Sequence, residues 1–257
     1  KLLYPGVDQT PNDQDIEWAV RLALECRRRV KEQQKRIGAA EFRNTHFSYV
    51  LGNDGVEKFV TTPEIRSDTT IGEEPLEPGQ VWALSPGGDG ESPGLFRVEV
   101  TVGPGSGVRI LNTPVPRPFK ESANFAEQNL YSRARQLVGD KDPRSHEFSV
   151  QVRAFDTARG GTKVGVATLI ALCSALLVKP LRGGLALVGE INLGGSIETV
   201  PNPVELAEIA VEKGAKALLV PVAARRQMVD LSDDLATRLD VEYYKDAQDA
   251  LLKALAV

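Results

Sequence analysis

Cysteine, histidine and methionine are scarce in this chain: two, two and one among 257 residues. Cys26 and Cys173 are isolated and sit in amphipathic or apolar helical contexts. That excludes a disulfide framework and fits a reducing cytoplasm, with both thiols expected as core residues. His46 and His146 stand far apart, and neither C-x-x-C nor H-E-x-x-H spacing occurs. A metal centre therefore lacks its ligands, and the histidines read as surface or strand-edge residues. Neither histidine sits near a G-x-S-x-G nucleophile elbow in the sequence, which argues against a His-dependent triad. No apolar run reaches the ~20 residues of a membrane span. The longest, Val164 to Val178, is interrupted by Thr168, Cys173 and Ser174 and suits a buried helix. Basic excess is absent too: 31 Lys and Arg against 35 Asp and Glu give a net charge of −4, so bulk charge does not argue for nucleic acid. The first residues, Lys1-Leu2-Leu3, carry no signal-peptide pattern and no initiator methionine; the expectation is a C-terminal fragment of a longer polypeptide.

What is present divides into two regions. Ile16, Ala19, Val20, Ala23, Cys26 and Val30 recur at helical spacing and predict an amphipathic helix from about residue 13 to Ile37, stopped by Gly38. Its outer face carries Arg27, Arg28, Arg29, Lys31, Lys35 and Arg36. Such a run is ordinarily a solvated face, and nucleic-acid contact is the sharper alternative. His46–Leu51 and Lys58–Thr62 predict a hairpin about Asn53-Asp54-Gly55. The polar stretch from Arg66 to Pro78 marks the boundary, giving a helical linker and small hairpin region over 1–72 and a main domain over 73–257. Strands are expected over 80–84, 95–102, 108–111, 148–155, 185–190, 196–200, 217–221 and 241–244. Helices are expected over 121–138, 164–178, 204–212 and 246–255. This mixture indicates α+β or α/β layering.

Two segments carry the chemistry. Arg159-Gly160-Gly161-Thr162-Lys163-Val164-Gly165 is a glycine-rich loop opening an apolar helix, and Gly189-Glu190-Ile191-Asn192-Leu193-Gly194-Gly195-Ser196-Ile197 follows it. The first lacks P-loop order, because Lys163 precedes its glycine and Val166 follows it. The Gly103–Gly107 turn leads into a strand, so no helix N-terminus is offered to a dinucleotide.

Together the two segments resemble the proteolytic domain of Lon proteases over about residues 79–257. There a loop of the type D-G-P-S-A-G presents a nucleophilic serine at a helix start, and a lysine serves as its base. The resemblance puts Lys163 at the serine position, Val204 at the lysine position and Asn192 at a threonine position. An ammonium cannot act as the acyl nucleophile, and valine cannot act as a base. A fuller resemblance, spanning the whole chain, is to the Lon-like proteins of BREX phage-defence systems. It rests on Arg29-Val30-Lys31-Glu32-Gln33, His46-Phe47-Ser48-Tyr49, Pro93-Gly94-Leu95-Phe96-Arg97-Val98, Ile170-Ala171-Leu172-Cys173-Ser174-Ala175 and Leu193-Gly194-Gly195.

That resemblance implies an α+β, Lon protease-like fold with an N-terminal helix and β-hairpin appendage close to an AAA+ lid. It also implies an upstream AAA+ ATPase module that uses ATP and Mg, a homo-oligomeric hexameric ring, and association with DNA and other phage-defence proteins. No cofactor, metal or membrane contact is expected for the chain itself. Three functions follow as expectations. The first is an oligomerisation and coupling scaffold with a degenerate dyad. The second is a peptidase using a displaced hydroxyl such as Thr162, with Thr157, Ser196 and Thr199 as further hydroxyls. The third is a DNA-contact module working through Arg27, Arg28, Arg29, Lys31 and Arg36. A lysine at a helix N-terminus opposes the helix dipole, so Lys163 is expected either to pair with Asp156 or Glu190 or to lie in water.

Overall fold

A computed structural model describes residues 71–87, 93–155 and 163–256, the backbone of 45–51 and 57–63, and helical positions 17, 20, 21, 23–25, 27 and 28. The chain forms two compact units, Lys1–Ser67 and Asp68–Val257.

In the first unit, β1 (Thr45–Leu51) and β2 (Glu57–Pro63) pair antiparallel, with Val50 opposite Lys58. The expected turn at 53–55 lies outside the described residues. Arg27 and Arg28 are helical and exposed, and Arg28 pairs with Glu25 one turn back at 2.9 Å. Arg29, Lys31, Arg36 and Cys26 lie outside the described residues.

The second unit is built on a seven-stranded sheet of order β5-β6-β4-β3-β7-β8-β9. Its strands are β3 (Gln80–Ser85), β4 (Gly94–Pro104), β5 (Gly107–Ile110), β6 (His146–Ala154), β7 (Leu185–Val188), β8 (Ala217–Pro221) and β9 (Asp240–Tyr244). Its helices are α1 (Arg117–Ser132), α2 (Ala134–Leu137), α3 (Gly165–Leu177), α4 (Pro203–Glu212), α5 (Asp233–Arg238) and α6 (Ala247–Ala254). Only β4 runs against its neighbours; β3, β7, β8 and β9 are parallel, as are β5 and β6. Helices on both faces of this mixed sheet meet the α+β expectation.

β7, β8 and the Val81–Leu84 stretch of β3 are apolar at every position because both of their faces are covered. Val81, Ala83, Leu185 and Leu187 face one core with α1, α3 and α6. Trp82, Leu84, Ala186 and Val188 face a second core with α4. α3 is buried nearly all round, which explains its unbroken apolar run. Burial of each large side chain such as Phe119, Phe148 or Leu172 contributes about 1.5–3 kcal/mol. Cys173 is buried in this helix as a free thiol, and burial pushes its pKa up.

Several expectations need correction. The 121–138 helix begins earlier, at Arg117, behind Pro116, and breaks at Arg133. Residues 196–200 form no strand and make only the bridge Ile191–Ile197. The 3₁₀ segment Val222–Asp230 and the short α5 were not anticipated. β4 and β5 are joined by the expected glycine turn but do not pair. β6 inserts between them, and Gly103 and Gly107 both lie opposite Glu147. Gly105 makes this crossing feasible: its φ is +139°, and a Cβ there would stand 2.9 Å from Glu147 Cβ.

Candidate functional site

The site forms where α3 begins, beside the C-terminal ends of β3 and β7. Lys163 and Val164 precede the helix, whose first residue is Gly165. The Lys163 amide donates to Ser85 Oγ at 3.3 Å, tying the end of the glycine loop to the end of β3. The Lys163 side chain is exposed and makes no ion pair among the described residues. Its exposure fits the solvent alternative, and no pairing with Glu190 is seen. Thr162, Thr157 and Asp156 lie outside the described residues.

Glu190 follows β7 and is only 9% exposed. Its Oε2 accepts from the Gly165 amide at 3.0 Å and from Ser122 Oγ at 2.7 Å, while Oε1 has no hydrogen-bond partner. Burial raises its pKa, and Glu198 adds to the rise; the Ser122 hydroxyl and the Gly165 and Ile191 amides oppose it. Gly165 is required here, because a Cβ would come within 2.2 Å of Glu190 Oε1. Nearby, Tyr244 of β9 donates its hydroxyl to the Val188 carbonyl at 2.8 Å.

The turn after Glu190 is fastened to α1. Asn192 Oδ1 accepts from the Ser196 amide at 3.0 Å, and its carbonyl accepts from Asn129 Nδ2 at 2.8 Å. Asn192 therefore closes its own turn. Arg133 donates to the Gly194 carbonyl at 2.5 Å and to Asn129 Oδ1. These contacts make α1 a backing plate for the segment that carries Glu190.

Lys163, Gly189, Glu190, Glu198 and Thr199 line a pocket of about 90 Å³. Val204, in the first turn of α4, is half-buried against the second core. The structure thus brings Lys163 to the pocket with Glu190 and Thr199, and turns Asn192 and Val204 to structural contacts. Among the described residues no three His, Cys, Asp or Glu side chains gather as a metal site, and no helix is long and apolar enough to cross a membrane. Ser122 and Asn129 were not singled out from sequence; their one signal is polarity on the buried face of α1.

A mixed sheet carrying a glycine loop into a buried helix, followed by the Gly189–Ile197 turn, defines a proteolytic-type domain of the Lon class. The family model described as the Lon protease (S16) C-terminal proteolytic domain matches residues 51–257, and the chain belongs to that family. Residues 1–48 match a second model, the ATPase domain of Lon-like protease BrxL-like proteins. The whole chain aligns with two relatives named Lon-like protease BrxL. One, from Bacillus cereus (strain H3081.97), is 30% identical and is covered over 38% of its length. The other, from Escherichia coli O9:H4 (strain HS), is 31% identical and covered over 37%. A Lon protease from Xanthomonas oryzae is 30% identical over 63% of this chain and 19% of its own length. The chain is accordingly of BrxL type, a Lon C-terminal domain preceded by an ATPase-type segment, and spans under two fifths of those BrxL relatives.

Proposed function

We propose that this chain is the Lon-like end of an ATP-dependent phage-defence protein in which the proteolytic dyad has been lost. The domain then serves to assemble subunits and to couple them to the ATPase. The observation that carries this reading is Lys163. It occupies the place of the family serine with its amine in solvent, while Val204, at the place of the lysine, packs into the core. No acyl-enzyme can form from that pair. The reading assigns ATP and Mg to the rest of the ATPase module, and assigns no residue of this chain to hold them. It further assigns the protein to the cytoplasm, a homo-oligomeric ring, and action alongside DNA and other defence proteins. Sedimentation of the purified protein tests assembly: a ring-sized species supports the scaffold, and a monomer at every concentration contradicts it.

One observation favours a peptidase instead. Exposed Thr199 lines the same pocket as Lys163, so a hydroxyl-bearing and an amine-bearing residue border one small space. Covalent labelling of Thr199 by a serine- or threonine-directed inhibitor, lost in Thr199→Ala, would establish that reading. DNA contact through the basic helix is the weaker proposal, since Arg28 is already engaged by Glu25.

A further inference from the structure

We propose that Glu190 is held as a neutral carboxylic acid that latches the start of α3 to α1, and that its ionisation loosens the latch. The distribution of donors around the carboxyl points to this. A carboxylate has two equivalent oxygens, and each wants donors when buried. Here the Ser122 hydroxyl and the Gly165 amide both converge on Oε2, and buried Oε1 receives none. In a neutral acid the proton would sit on Oε1, leaving there an unpaired hydroxyl in place of an unpaired charged oxygen. An anion would leave a charged oxygen out of water without a partner, which is the costlier arrangement.

The surrounding groups act in both directions. The N-terminus of α3 and the Gly165 and Ile191 amides favour the anion. Glu198, from the following turn, opposes it, as does burial, and burial is the largest influence. Tyr244, from β9, spends its hydroxyl on the Val188 carbonyl. Lys163 lines the same pocket but forms no ion pair with Glu190. With no countercharge engaged, desolvation prevails and the carboxyl holds its proton to higher pH than an ordinary glutamate.

The consequence is directional. A carboxyl whose folded pKa lies above its unfolded value contributes stability that is complete below the unfolded value and is lost as pH rises through the folded value. The latch therefore holds fully below the ordinary glutamate pKa and weakens as pH rises through the raised folded value. What it releases is the first turn of α3, with Lys163 and Val164 ahead of it. This inference stands whether or not the domain is a scaffold.

The test is a carboxyl ¹³C titration of the whole chain, with thermal midpoints and amide exchange of Glu190→Gln and Glu190→Ala from about pH 4 to about pH 9. The expected result is one glutamate titrating well above the ordinary ~4.3 and disappearing in both variants. Glu190→Gln, which keeps a carbonyl for both donors, should match the wild-type midpoint at the low end and lack its fall at the high end. Protection of the Gly165 amide should drop across the titration in wild type only. Glu190→Ala should melt lower throughout. A Glu190 resonance titrating at or below the ordinary value, or Glu190→Gln losing as much as Glu190→Ala at the low end, would overturn the proposal. Should either variant fail to fold, the wild-type titration decides alone.

Discussion

The amide of Lys163 is bonded to the hydroxyl of Ser85 across the ends of the glycine loop and β3, while its amine stands in solvent. Lys163 is thus anchored through its main chain and not through its side chain. Lys163→Ala should change stability by no more than about 0.5 kcal/mol, as exposed substitutions do. Ser85→Ala removes a nearly fully buried acceptor and should cost about 1 kcal/mol. Urea unfolding of the two variants separates these outcomes.

Gly165→Ala places a methyl group 2.2 Å from Glu190 Oε1 and 3.2 Å from Ile191 Cγ2. Either the carboxyl moves and surrenders Ser122, or the helix start shifts. The expected cost is about 1–3 kcal/mol by chemical denaturation, the range for overpacking a filled core. Ser122→Ala should reduce that cost, because the carboxyl is then tied at one point fewer.

Val178 closes α3 in the left-handed conformation, φ 56° and ψ 43°, and is 71% exposed. A β-branched residue is disfavoured there by roughly 1–2 kcal/mol, and glycine is the usual occupant of a helix end of this shape. Glycine's greater freedom in the unfolded chain offsets part of the gain. Val178→Gly should therefore stabilise by about 0.5–1 kcal/mol, read as a raised thermal midpoint.

Asp249 lies in the first turn of α6. Burial works to raise its pKa, but hydrogen bonds from the Lys245 amide and Lys253 Nζ, with the charges of those lysines, win and lower it. The sign is opposite to that of Glu190: its contribution is present above the unfolded pKa and is lost as pH falls through the folded one. Asp249→Asn should flatten the acid limb of the stability profile and leave the alkaline limb unchanged, as midpoints against pH would show.

The strands and helices legible in the sequence are those with a clear period or a continuous apolar run: β3 to β9, α3, α4 and α6, with the body of α1. Non-local pairing was not legible. Nothing near Gly103–Gly107 discloses that β6, some forty residues on, slides between the strands this turn joins. Residues 196–200 alternate like a strand yet spend their bonds on the Asn192 turn. The 222–230 segment has weak periodicity and relies on Ala224 and Met228 for its anchorage. At the site, the identities of Lys163, Asn192 and Val204 were plain in the sequence. Glu190 was visible only as a partner for Lys163. Its bonds to Ser122 and Gly165 depend on α1 packing against α3, a contact between residues far apart in the chain.

The most direct test of the lost dyad is hydrolysis of casein and fluorogenic peptides by the purified protein, run beside Lys163→Ala and Thr199→Ala. The account predicts background rates for all three and no covalent inhibitor adduct. Turnover above background that disappears with a substitution at Thr199 or within residues 157–164 would contradict it.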